Sequence, residues 1–238
     1  MSTAARYFVP VCLYPHTKYR TNSGATFLFE KYQLRSHRYL IVIADRLLVL
    51  DRLVTGRFWT VSSAIQKARR EASQIATLIR RASLKARAQT NGRIVFWDQI
   101  AETEQFSAFA QSLRDSVLTD PLLSRAIEEF VERRMSRFGA GNSPGRERDY
   151  EREYLLSEVC MSVFCTEVLG FWMEVWERPP SIEMPDPLKL LYDNRPHLVE
   201  RATGHSVTRV LRFLYCNDYK DDRPVYQESR TEVVAALA

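Results

Sequence analysis

The sequence predicts one α/β domain, a parallel sheet with helices on both faces. Three observations carry that expectation. Short runs rich in Val, Ile and Tyr recur at residues 7–14 (YFVPVCLY), 39–44 (YLIVIA) and 93–97 (RIVFW), and each ends at a polar or turn residue, which suits buried parallel strands. A long helical stretch comes straight before the third run. Roughly the first hundred residues therefore read strand, helix, strand, helix, strand, the order that winds into a parallel sheet through right-handed crossovers. Finally, 238 residues of which 45% are apolar suffice for one sizeable core and are too few for two comfortable domains.

The elements follow in order. Asp45 closes the second strand. A helix is expected over residues 63–88. It opens with Ser63-x-x-Gln66, a capping box, and carries Ala68, Ala72, Ile75, Ile79, Ala82 and Ala86 at alternating spacings of three and four, a buried stripe. Further helices are expected over 106–117 and, after Asp120-Pro121, over 122–137, where the proline suits a first helical position. Residues 139–148 (GAGNSPGRER) read as a flexible loop. Residues 149–176 read as a helix apolar on nearly every face, and hence buried, that Arg178-Pro179-Pro180 stops. A Pro-rich segment leads to residues 189–192. Residues 207–214 (VTRVLRFL) read as a last strand, and residues 218–238 as a polar, loosely held tail of the single domain 1–238.

Composition excludes several classes of function. No apolar run is long enough to span a membrane, so a soluble protein is expected. The four cysteines (Cys12, Cys160, Cys165, Cys216) are scattered and follow no secretory signal, so they read as reduced thiols in the cytoplasm. With no CxxC pair and no HExxH among four histidines, no metal site is expected. Neither GxGxxG nor GxxxxGK occurs, which removes most support for a nucleotide cofactor.

Two features point to chemistry. The helix over 63–88 carries seven basic residues and one acidic one, Glu71. Lys67, Arg70, Arg81 and Lys85 fall together on one side of it, and Arg69, Arg80 and Arg87 on the other. This is the electrostatic footprint of a polyanion-binding surface, and also that of an ordinary solvated helix. Tyr154 and Glu158, four apart, share one face of a helix expected to be buried. Burial raises a carboxyl's pKa toward the range of a working acid/base, and a phenol one turn away can donate a hydrogen bond to a reacting group. A structural glutamate bonded to an arginine or a backbone amide fits the same pattern.

An ordered set of motifs covers most of the chain. IVIAD (41–45), LLVLDRLVTG (47–56), the basic helix, RIVFWDQI (93–100), ETEQF (102–106), YLLSE (154–158) and Leu190-Leu191-Tyr192 follow one another at spacings that resemble the tRNA-dependent cyclodipeptide synthases. The resemblance implies a Rossmann-like parallel sheet with helices on both faces, like the catalytic domain of class I tyrosyl- and tryptophanyl-tRNA synthetases, used without ATP. Neither an HIGH-like nor a KMSKS-like motif occurs here. It also implies an aminoacyltransferase that needs no cofactor and joins two aminoacyl-tRNAs into a diketopiperazine. By position Tyr154 and Glu158 would hold the first substrate's α-amino group, with Glu158 also moving protons. Tyr192 would support the cyclising intermediate, and the basic helix would hold the tRNA acceptor arm.

The sequence departs from that family in two places. The family's G-x-S serine turn after the first strand is replaced by residues 11–17 (VCLYPHT), where ungapped counting sets Cys12 at the glycine and Tyr14 at the serine. In an extended strand the two point to one face. The Cys12 thiol is a chemically competent acyl acceptor, and equally a small buried hydrophobe. An insertion between Glu158 and Tyr192 suggests an outlying branch, the fungal arginine-containing cyclodipeptide synthases. Asp98, at the end of the third strand, lies by the resemblance where the first side chain's pocket is lined, together with Tyr14. A carboxylate there favours arginine, and the same Asp also suits the cap of a helix starting near Gln99. The alternative function is a non-catalytic RNA-binding domain with a synthetase-like fold.

Overall fold

The computed structural model describes residues 6–11, 18–54, 60–138, 144–176, 186–207, 212–215 and 225–228. Its centre is a six-stranded sheet formed by β1 (Arg6–Val11), β2 (Arg38–Ile43), β3 (Gly92–Phe96), β4 (Met173–Trp176), β5 (Arg212–Tyr215) and β6 (Val225–Glu228). The strands lie in the order β3-β2-β1-β4-β5-β6, parallel throughout except for the β5–β6 pair. Winding that moves outward from β1 first to one side and then to the other creates a switch point between β1 and β4, where α/β proteins open a crevice at the carboxyl ends of the strands.

The two ladders of β1 differ in length. Against β2 all six residues pair, from Arg6–Arg38 to Val11–Ile43. Against β4 the register holds only Tyr7–Met173 and Phe8–Glu174. Val11 accepts from the Ala44 amide at 3.0 Å, so the odd-numbered residues of β1 face β2 and Pro10 faces the β4 side. Pro10 has no N–H to give, and the ladder on that side has ended before it.

Alternation sends side chains to two cores. Phe8, Leu40 and Val42 pack with α2 (Asp45–Val54), α4 (Trp97–Ala101), α5 (Glu104–Thr119), α6 (Pro121–Phe138), α7 (Pro144–Val163), α8 (Asp186–Asn194) and α9 (Pro196–Thr203). Val9, Val11, Tyr39, Ile41 and Ile43 pack with α1 (Asn22–Lys31) and α3 (Val61–Lys85). The expected stripe of α3 is the buried one: Ala68, Ala72, Ile75, Ile79 and Ala82 face the sheet, joined by Ala64. Gly92 opens β3 because any Cβ there would collide with the Tyr39 ring, whose hydroxyl is fixed by Ser83 (3.0 Å) and the Ala88 carbonyl (3.1 Å).

Several boundaries differ from the sequence reading. The cap of α3 is Thr60, whose Oγ1 accepts from the Ser63 amide at 3.2 Å, so the helix starts two residues before Ser63 and ends at Lys85. The first strand ends at Val11, and Cys12 and Tyr14 lie outside the described residues. Of the expected loop 139–148, the last residues already belong to α7, which starts at Pro144. The helix expected over 149–176 ends at Val163 and passes into a π turn, Phe164–Val168. Gly170 then turns the chain at φ 74°, and residues 173–176 become β4. An unbroken apolar run has no period of its own, so helix and buried strand cannot be told apart along it. The last expected strand is Arg212–Tyr215, and within the supposed loose tail β6 pairs antiparallel to it.

Candidate active site

α7 runs back across the sheet and enters β4 at the strand's amino end, so its middle turns lie toward the carboxyl ends. The contact of Arg46 with Glu153, at 4.0 Å, ties those turns to the start of α2 beside the end of β2. On α7, Glu151, Tyr154 and Glu158 occur at i, i+3 and i+7, one face of the helix. Tyr154 is 5% exposed and Glu158 8%. Burial pushes the Glu158 carboxyl up to about 7, the Arg134 charge opposing and the Glu151 charge adding to the effect. Among the described residues no donor reaches the Glu158 carboxylate; Arg134 gives its Nε proton to Glu151 instead, at 2.7 Å. The structural glutamate paired to an arginine is thus Glu151, and Glu158 is left with its acceptors open. A carboxyl that titrates near neutrality with open acceptors can bind an ammonium group and take or return its proton.

A second acidic pair lies at the ends of β2 and β3. Asp45 is buried and accepts from the Trp97 amide at 3.1 Å, so Asp45 reaches across from the next strand to the start of α4. Asp98 stands in the first turn of that helix and not at its cap, which corrects the capping role weighed for it. Burial and the neighbouring Asp98 charge raise the Asp45 carboxyl to about 6. Two neighbouring carboxylates are best relieved by a cation.

Tyr192 is not brought to Tyr154 and Glu158. Its hydroxyl lies 3.0 Å from Thr166 Oγ1 and donates to Glu167 Oε1 at 3.2 Å. Glu167 is nine residues past Glu158, roughly 13 Å along the helix axis. It lines a cavity of about 270 Å³ with Arg6 and His205, at the amino ends of the strands.

On α3, Arg70, Arg81 and Lys85 are exposed and meet no carboxylate among the described residues, and Arg69 and Arg80 are exposed on the other side of the helix. Lys67 is drawn off: its Nζ is 3.5 Å from Glu71, which also receives Arg20 at 2.8 Å and Arg52 at 2.6 Å. These cations hold the Glu71 carboxyl below its usual range despite burial. Glu71 thus pins α3 to α2 and to the turn around Arg20.

Sequence reasoning missed Glu151 and Arg134 as participants. Glu151 was within reach, because E-x-x-Y-x-x-x-E puts all three residues on one face. Arg134 comes from another helix, and no local pattern marks it. Among the described residues no group of three His, Cys, Asp or Glu side chains could hold a metal ion, and no described helix is long and apolar enough to cross a membrane.

No family model and no curated protein matches the sequence. Solved structures do. A cyclodipeptide synthase (CDPS) from Fluoribacter dumoffii superposes with a TM-score of 0.64 at 14% identity, over 89% of this chain and 89% of that one. AlbC, a cyclodipeptide synthase from Streptomyces noursei, gives 0.58 at 16% identity over 78% and 87%. A Mycobacterium tuberculosis protein gives 0.60 at 14% over 79% and 76%, and its structure is described as demonstrating that cyclodipeptide synthetases are related to type I tRNA synthetases. The chain has the fold these proteins share, an α/β sheet with helices on both faces.

Proposed function

We propose that the protein is a tRNA-dependent cyclodipeptide synthase and that arginine is one of the residues it joins. The observation that carries this reading is the open, buried carboxyl of Glu158 beside Tyr154, in a fold otherwise met in such enzymes. The reaction needs no ATP, because each new amide replaces an aminoacyl ester of tRNA. The first aminoacyl group leaves its tRNA for an enzyme nucleophile, for which Cys12 is the candidate, and the 3′ hydroxyl of that tRNA takes the proton. The amine of the second aminoacyl-tRNA then attacks the acyl-enzyme. Finally the amine of the first residue attacks the remaining ester, closing the diketopiperazine and releasing the second tRNA.

The two amine attacks each require a neutral amine, and at neutral pH amines are mostly protonated. A carboxyl titrating at about 7 can receive that proton and pass it to the departing hydroxyl. The Tyr154 phenol, one turn away, would hold the first residue's nitrogen. Asp98, with Asp45 behind it, would receive the guanidinium, which bonds a carboxylate in a two-pronged fork. Arg70, Arg81 and Lys85 offer the tRNA phosphates a positive face.

The test is to express the protein and search extracts for diketopiperazines by mass spectrometry, then to repeat the reaction with purified protein and charged tRNAs. An arginine-containing cyclodipeptide is the expected product. Tight tRNA binding with the aminoacyl esters left intact would favour the non-catalytic RNA-binding reading instead.

A further inference from the structure

Arg134 is the hub of a buried polar cluster under the Tyr154–Glu158 face. Its Nε donates to Glu151 Oε1 at 2.7 Å, its Nη2 stands 3.6 Å from Asp51 Oδ1, and its guanidinium lies over the Tyr154 ring, 5.4 Å from the centroid. Three helices meet there: Asp51 comes from α2, Arg134 from α6, and Glu151, Tyr154 and Glu158 from α7. Glu151 is wholly buried, and its second oxygen, Oε2, has no hydrogen-bond partner. An orphaned carboxylate oxygen in a core is costly, and here the ion pair with Arg134 offsets that cost.

We propose that Glu151 is a positioning residue for the Tyr154–Glu158 pair: it holds the Arg134 guanidinium over the Tyr154 ring and sets how much positive charge faces Glu158. The inference rests on the catalytic reading of that pair given above. The other charged groups around α7 are already engaged. On α5, Arg114 grips Glu153 through two bonds of 2.6 and 2.8 Å on another face of the helix, and on α6 Glu128 takes Arg152 and Arg148. Asp51 holds the far side of Arg134. Glu151, hydrogen-bonded at 2.7 Å, compensates the Arg134 charge more closely than Asp51 does at 3.6 Å. Removing the Glu151 charge acts twice in one direction: a negative neighbour of Glu158 disappears, and Arg134 is left less compensated. Both favour ionised Glu158.

The experiment is a carbon-13 NMR titration of the Glu158 carboxyl in the full chain, which needs no tRNA and so stands apart from the question of activity. In Glu151→Gln the Glu158 midpoint is expected to fall by about one pH unit, and Glu151→Asp, which keeps the charge, to draw it back toward the parent value. With a measurable reaction, Glu151→Gln also lowers kcat roughly tenfold or more with little change in KM, because a misoriented phenol is felt in the reacting geometry. An unmoved Glu158 midpoint in Glu151→Gln overturns the proposal. Should that variant fail to fold, Arg134→Lys keeps the charge but lacks the Nε–H that ties Arg134 to Glu151; the Tyr154 ring resonances are then expected to shift, and unshifted resonances overturn it equally.

Discussion

Replacing Glu158 by glutamine separates catalysis from stability in opposite directions. The carboxyl's midpoint rises from 4.5 to about 7 in the fold. Because the folded pKa lies above the unfolded one, the native state holds its proton longer. Stability is therefore lost as pH climbs from about 4.5 through about 7, and above that range ionised Glu158 costs on the order of 3 kcal/mol. Glutamine keeps the size and cannot ionise. Near pH 5 variant and parent should melt alike. Near pH 8 the variant should be the more stable, by several degrees for a chain of this size, less the smaller cost of burying an amide. Diketopiperazine formation should meanwhile drop about a hundredfold or more, as expected when a proton-transferring group is removed. The assay is a pair of melting series across that pH range, with product quantified by mass spectrometry. A variant that melts several degrees lower near pH 8 and still makes product at the parent rate would refute the reasoning, since Glu158 would then be a structural anchor.

Other outcomes are as specific. Asp98→Asn should abolish the arginine-containing product while changing stability by less than about 0.5 kcal/mol, because Asp98 does not cap α4. Undiminished use of arginyl-tRNA by that variant removes Asp98 from the pocket. Reversing Arg70, Arg81 and Lys85 to Glu should abolish tRNA binding in a gel shift at physiological salt, and single neutralisations should each lower the salt slope by about 0.7 to 0.9. Lys67 is left in place because it is paired with Glu71. Rapid quenching with aminoacyl-tRNA should trap a thioester on the peptide holding Cys12, and an active Cys12→Ala enzyme moves the search to Tyr14, Thr17 or Ser23.

What could be read from the chain follows the range of the forces involved. The stripe of α3, the strand identity of residues 39–44 and the shared face of Tyr154 and Glu158 are local periodicities, so they were legible. β4 was not, since Met173–Trp176 follows an apolar run without period and becomes a strand only because β1 and β5 flank it. The company each titratable group keeps was equally hidden. Asp45 meets Trp97 across 52 residues, and Arg134 finds Glu151 from a different helix. Tyr192 shows the opposite hazard: its motif is plain in the sequence, yet its hydroxyl is bonded to Thr166 and Glu167 at the other end of the sheet.

Pro10 gives the short ladder between β1 and β4 a cause within the strand itself. Neighbouring parallel strands gain about 1 kcal/mol for each further hydrogen bond, so two that run side by side tend to zip to their ends. An imino acid facing β4 withholds the hydrogen on which the next rung depends, after Phe8 has paired with Glu174. The sheet therefore frays at one designated seam while β1 stays fully laced to β2. The ladder therefore stops short without bulky side chains wedging the strands apart, and β1 draws its rigidity from the side that remains fully paired.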